Sequence, residues 1–244
     1  MGQKRAEKRR RAAYGIILAL AFILGRVAAH GLPIEWEAVI RLADTKKDEG
    51  KEAEMGRELP KQIAITFDDG PNAVYTEKLL EGLKKRDVKA TFFLLGSEVE
   101  EYPELVEKIN DDGHLIGVHS YRHVNFGEIG DEAAMKQIDA AREAIYAVTG
   151  EYTGYIRPPY GCWKDSLNDK VPMIEVLWDV DPLDWAATDS DVVAQRILKA
   201  VDKGGTIILL HDASGSSVQA AFTVIDALTE QGYEFVTVEE LLLE

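Results

Sequence analysis

Residues 63–71 read Ile63-Ala64-Ile65-Thr66-Phe67-Asp68-Asp69-Gly70-Pro71, an apolar run that stops at two adjacent carboxylates and a turn. A short stretch rich in β-branched and aromatic residues, closed by Gly-Pro, is the signature of a buried strand. The pattern repeats downstream. Further candidate strands are Ala90–Leu95, Leu115–His119, Tyr155–Arg157, Ile174–Val180, Thr206–Leu210 and Glu234–Val238. Between them, Thr76–Lys85, Tyr102–Asn110, Glu132–Val148, Ser190–Asp202 and Val218–Thr229 place apolar residues three and four apart, the stripe of an amphipathic helix. Strand and helix in alternation imply a parallel sheet covered by helices. Seven strand candidates are slightly too few for an eight-stranded barrel. The expected fold is α/β, a distorted or incomplete (β/α) barrel of about seven parallel strands, with an open doubly wound sheet as the alternative.

In parallel α/β folds, ligands gather at the carboxyl ends of the strands. Five of the seven strand ends carry unusual residues here: Asp68-Asp69, His119-Ser120-Tyr121-Arg122-His123, Arg157-Pro158-Pro159-Tyr160-Gly161, Asp179 to Trp185, and His211-Asp212. Adjacent carboxylates on a strand point to opposite sides and can take different roles. His119 and His123 are four apart and would share one face of a helical turn, a spacing suited to one divalent ion. Asp69 with these two imidazoles would make a carboxylate–His–His set with open positions. Arg157, stiffened by two prolines, is expected to grip a carboxylate such as Asp68 by a two-pronged contact. Trp185 offers a flat apolar wall beside Asp184, or else simple core packing.

Outward from this region, residues 31–60 are mixed and charged, and read as a linker. Residues 1–30 are different. A basic run from Lys4 to Arg11 precedes fourteen uncharged residues, Ala12 to Gly25, and Arg26 is followed by small residues. This is the layout of a cleaved secretory signal or an uncleaved N-terminal membrane anchor. Either reading keeps the basic end cytoplasmic and exports the rest, to the outer face of the membrane or the cell wall. The expected domains are thus a signal or anchor at 1–30, a linker at 31–60 and a catalytic domain at 61–244.

The whole chain of 244 residues carries a formal net charge of −15, although residues 1–30 hold seven basic side chains and one acid, Glu7. The remainder is therefore strongly acidic, which argues against nucleic acid as a partner. A single cysteine, Cys162, excludes a disulfide framework and any cysteine-rich zinc module. Its thiol, and His114 and His30, receive no role. Composition is silent on oligomeric state.

Taken together, Thr66-Phe67-Asp68-Asp69-Gly70, His119-Ser120-x-x-His123, Arg157-Pro158-Pro159-Tyr160, Asp181-x-x-Asp184-Trp185 and Leu209-x-His211 resemble the five motifs of the NodB-type polysaccharide deacetylases, carbohydrate esterase family 4. The likeness spans about residues 61–244. Within the family, Trp178 to Trp185 and Gly232 to Thr237 are most similar to the bacterial peptidoglycan N-acetylglucosamine deacetylases. The resemblance implies metal-dependent hydrolysis of N-acetyl groups on a cell-wall glycan. It implies Asp69, His119 and His123 as ligands of a divalent metal, zinc or else cobalt or a similar ion. It implies Asp68 as general base and His211 as general acid. Arg157 would orient Asp68, and Asp184 would support an Arg157/His211 charge network. The Tyr160 backbone N–H would hold the oxyanion, and Trp185 and Leu209 would wall the acetyl pocket beside Pro159. Other substrates open to the same site are chitooligosaccharides, N-acetylmuramic acid and O-acetylated xylan. A small-molecule amidohydrolase and a non-catalytic glycan-binding module are the further alternatives.

Overall fold

The computed structural model describes residues 61–243. The expected signal or anchor and the linker lie outside the described residues. Seven parallel strands form one sheet: β1 Lys61–Asp68, β2 Thr91–Leu94, β3 Leu115–Val118, β4 Tyr155–Ile156, β5 Ile174–Glu175, β6 Ile207–His211 and β7 Tyr233–Phe235. Their order is β5-β4-β3-β2-β1-β6, and β7 also pairs with β1. The long first strand makes this possible. Ala64 to Asp68 pair with β6, whereas Lys61 to Ile63 pair with β7. The helices are α1 Thr76–Lys85, α2 Gly96–Glu101, α3 Pro103–Asp111, α4 Asp131–Thr149, α5 Ser190–Val201, α6 Gly215–Glu230 and α7 Val238–Leu243.

The period of two along β1 divides the molecule. Ile63, Ile65 and Phe67 point outward into the main core, against Leu79, Leu80 and Leu83 of α1 and Val224, Ile225 and Leu228 of α6. Each such leucine contributes roughly 1.5–3 kcal/mol by leaving water. Ala64 points the other way, into a smaller cluster with Phe93, Tyr155, Val176 and Val238. Thr66 and Asp68 share that inner side, where both meet Arg157. Gly117 of β3 is needed there: a Cβ on it would fall 2.5 Å from the Phe93 ring.

The expected strand Ile174–Val180 is only partly realised. Regular pairing with β4 ends at Glu175, and an isolated bridge between Val180 and Ile208 then joins the segment to β6. The cause is a missing donor: the Val176 amide still donates to the Ile156 carbonyl, but the next amide in register is that of Pro158, which has no N–H. The Val176 and Leu177 carbonyls accept from Arg157 Nε (3.0 Å) and Nη2 (3.1 Å). The fold is thus a distorted barrel, closed between β5 and β6 by irregular chain. The five expected helices are present, while the short α2 and α7 have too few residues to display a period.

Candidate metal centre and active site

Parallel register brings the site together. Asp68, the last residue of β1, lies opposite His211, the last residue of β6. The His119 amide donates to the Leu94 carbonyl, and the Arg157 amide to that of Val118, so both side chains emerge at the same end of the sheet. Asp68, His119 and Arg157 are buried, at 2%, 2% and 0% exposure.

The next residue, Asp69, adopts a left-handed backbone (φ 72°), and the two carboxylates, expected on opposite sides, both face His119 Nε2, Asp68 Oδ2 at 3.8 Å and Asp69 Oδ1 at 3.4 Å. Its Oδ1 lies 3.4 Å from both His119 Nε2 and His123 Nε2. Ligand atoms of the three residues lie within 4.8 Å of one another. The His119–His123 segment is not a helical turn, contrary to the expectation from spacing. It is a loop with Ser120 at φ 69° and His123 at φ 53°, and those two left-handed residues bring the imidazoles together.

The donor set fits a divalent cation. Asp69 Oδ1 is buried and has no hydrogen-bond partner among the described residues. His119 Nδ1 is 2.7 Å from the Arg157 carbonyl, so it carries the proton and leaves the Nε2 lone pair facing Asp69. Burial, only partly opposed by Asp69, lowers the His119 pKa to about 3, and the ring is neutral. His123 Nδ1 faces the Tyr160 hydroxyl at 3.1 Å, and the two rings meet edge to face at 4.6 Å. Tyr160 is in the left-handed region (φ 60°), on the one-turn 3₁₀ segment Pro159–Gly161.

Around this centre lie a carboxylate and an imidazole of opposite charge. Burial raises the pKa of Asp68, and the Arg157 guanidinium acts against that shift. The Arg157–Asp68 contact is single, Nη1 to Oδ1 at 2.8 Å, rather than two-pronged. The remaining Arg157 donors go to Thr66 Oγ1 (2.6 Å) and to the two carbonyls of the interrupted strand, and the guanidinium stacks 4.2 Å from the Phe93 ring centroid. Asp68 Oδ2 is left facing the metal centre, 3.8 Å from His119 Nε2.

On the other side, Asp184 Oδ1 lies 2.9 Å from His211 Nδ1, and Oδ2 accepts the His211 amide at 2.9 Å. Burial lowers the His211 pKa, but the Asp184 carboxylate outweighs it and the value is raised to about 9. Burial likewise pushes Asp184 up, and the bonds from His211 and Ser217 prevail and hold it below the usual carboxylate value. Asp184 has no bond to Arg157, so the expected joint network is in fact two separate pairs, Arg157–Asp68 and Asp184–His211.

Trp185 is 70% exposed on a short 3₁₀ turn, which excludes core packing; Leu209 is buried on β6, and Pro159 is buried at the start of the turn that carries Tyr160. The Cys162 thiol donates to the Tyr160 carbonyl at 3.6 Å. His114 lies outside the site. Its Nδ1 accepts the Ala90 amide, and burial lowers its pKa to about 4. Sequence reasoning missed Thr66 as the second anchor of Arg157, the Tyr160 hydroxyl beside His123, and Asp212. Asp212 is 1% exposed, has its pKa raised by burial to about 6, and accepts from the Thr76 hydroxyl.

The comparisons agree with this geometry. Residues 56–174 match the family model described as polysaccharide deacetylase. The chain is 40% identical to the peptidoglycan-N-acetylmuramic acid deacetylase PdaC of Bacillus subtilis, over 74% of this chain and 38% of that protein, so it spans about two fifths of that relative's length. It is 35% identical to a peptidoglycan-N-acetylglucosamine deacetylase of Bacillus cereus, over 84% of this chain and 80% of that one. The solved structure of peptidoglycan deacetylase PdaC from Bacillus subtilis superposes with a TM-score of 0.72 at 39% identity, covering 75% of this chain and 90% of that one. The (β/α) barrel is the same in kind, and the chain belongs to the polysaccharide deacetylase family.

Proposed function

We propose that the protein hydrolyses the acetamide of N-acetylated peptidoglycan sugars, releasing acetate and leaving a free amine on the glycan. The observation that carries this reading is the shared Asp69 Oδ1 facing two imidazole Nε2 atoms, with buried Asp68 on one side and cationic His211 on the other. Asp69, His119 and His123 would hold the metal. The donors are two nitrogens and one oxygen, of borderline softness, and zinc suits them, as does cobalt. When bound, such an ion polarises the acetyl carbonyl and makes water a better nucleophile near neutral pH.

The chain's own groups do the rest. Asp68 Oδ2 takes the proton of the attacking water, since Oδ1 is occupied by Arg157. His211 Nε2 delivers a proton to the departing amine nitrogen as the C–N bond breaks. Asp184 keeps that imidazole charged and correctly turned. The Tyr160 N–H donates to the developing oxyanion. Trp185 and Leu209 would bound the acetyl methyl, and Pro159 stiffens the turn that carries Tyr160.

The sugar we favour is N-acetylglucosamine. N-acetylmuramic acid is the second reading, favoured by the 40% identity to a relative named for it. The basic and apolar N-terminal sequence supports action outside the cytoplasmic membrane, as a secreted or anchored protein. The test is incubation of the full chain and zinc with purified peptidoglycan, then mass analysis of the digested fragments. Acetyl loss from glucosamine is the expected result. Loss from muramic acid alone would transfer the assignment to that sugar. Glycan retention without acetate release would mark a binding module, and faster release from O-acetylated xylan would mark an esterase.

A further inference from the structure

Asp212 follows His211 at the end of β6 yet has no part in the chemistry just derived. It is 1% exposed, and its Oδ1 is buried without a hydrogen-bond partner among the described residues. A carboxyl buried at this cost is held for a reason. Its surroundings supply one. Its Oδ2 accepts from the hydroxyl of Thr76, the first residue of α1. The same hydroxyl accepts the Asn72 amide at 2.6 Å. Asn72 in turn uses its side-chain oxygen to accept the amides of Val74 (2.9 Å) and Tyr75 (3.1 Å). The carboxyl also lies flat against Gly70. A Cβ built on Gly70 would fall 2.7 Å from Asp212 Oδ2 and 2.8 Å from Oδ1, so only glycine admits the approach.

These contacts surround the one stretch that joins β1 to α1, and that stretch begins with Asp69. Asp69 cannot be fixed by its own strand, because β1 ends at Asp68 and Asp69 already has a left-handed backbone. His119 is tied to the Arg157 carbonyl and His123 to the Tyr160 hydroxyl. The Asp69 carboxylate has no hydrogen bond to any described residue; besides its approach to those two imidazoles, it has only an ion-pair approach of 4.0 Å from Oδ2 to His211 Nε2. Its neighbour Gly70 is instead pressed against Asp212.

We propose that Asp212, through the Thr76 hydroxyl and its contact with Gly70, is the positioning residue that holds Asp69 at metal-ligand geometry. This rests on the metal-centre reading above, and extends it to a side chain that touches neither metal nor substrate. Groups of this kind commonly change metal affinity by 10–100-fold when removed.

The test is zinc affinity, measured by chelator competition on the metal-free full chain, together with thermal stability of the metal-free protein. The variants are Thr76→Val, Asp212→Ala and Asp212→Asn, with Val224→Ala in the main core as a stability control. Thr76→Val and Asp212→Ala are expected to weaken zinc binding about tenfold or more. Asp212→Asn, whose amide oxygen still accepts the Thr76 hydroxyl, is expected to stay within about threefold of the parent. Val224→Ala is expected to lower the melting temperature without changing zinc affinity. The proposal is overturned if Thr76→Val binds zinc as the parent does, if Asp212→Asn loses as much as Asp212→Ala, or if Val224→Ala weakens zinc equally. Absence of zinc binding by the parent would instead remove the metal-centre reading, and the proposal with it.

Discussion

In the proposed reaction two residues decide the chemistry, and their environments set them apart. Asp68 and His211 end neighbouring strands in register, yet one is an anion braced by Arg157 and the other a cation braced by Asp184. Asp68→Asn keeps the shape and removes the base, so acetate release should fall by about 10²–10⁴-fold while zinc binding persists. His211 must be charged to act as the proposed acid, and against the effect of burial Asp184 is the main group that raises its pKa. The rate should therefore fall on the alkaline side, and Asp184→Asn should move that fall to lower pH in a pH–rate profile. Most of these residues were legible in the sequence because each interrupts an apolar run with a polar group. Their partners were not. Arg157 is held mainly by the Thr66 hydroxyl and the Val176 and Leu177 carbonyls, and backbone acceptors leave no mark in a sequence.

At the scale of elements, Arg157 and Pro158 together explain the largest departure from the sequence reading. The run Ile174–Val180 has the composition of a strand, but Pro158 has no amide to continue the ladder, and the Val176 and Leu177 carbonyls accept from the guanidinium instead. A neighbouring segment without a donor, and a tertiary contact that took up the free carbonyls, overrode local propensity. The His119–His123 loop teaches the same lesson. Spacing of four suggested a helical turn, and left-handed residues at Ser120 and His123 did the work instead. The element-scale prediction concerns this buried cation. Arg157→Ala leaves the Asp68 carboxylate buried without its ion pair and frees the chain after β5. It should cost about 3–5 kcal/mol in urea denaturation of the metal-free protein. Adding Asp68→Asn to that variant should recover part of the loss, because no unpaired charge then remains.

For the whole molecule, alternation along β1 separates a helix-facing core from a barrel interior that holds the ionisable groups. The barrel and most helix spans were legible from the two periods, while closure of the barrel through irregular chain was not. The ionisable interior links stability to pH. His211 has a folded pKa of about 9, above its ordinary 6.5. Its contribution is fully present below about pH 6.5 and is lost as pH rises through 9. Metal-free protein should accordingly lose on the order of a few kcal/mol across that window in urea titrations, and His211→Asn should flatten the slope. The central claim, that Asp69, His119 and His123 hold a metal the reaction requires, is tested most directly by acetate release from purified peptidoglycan before and after chelation. The account predicts release that stops on chelation, returns with added zinc and is lost in Asp69→Ala. Release that survives both chelation and Asp69→Ala would contradict it.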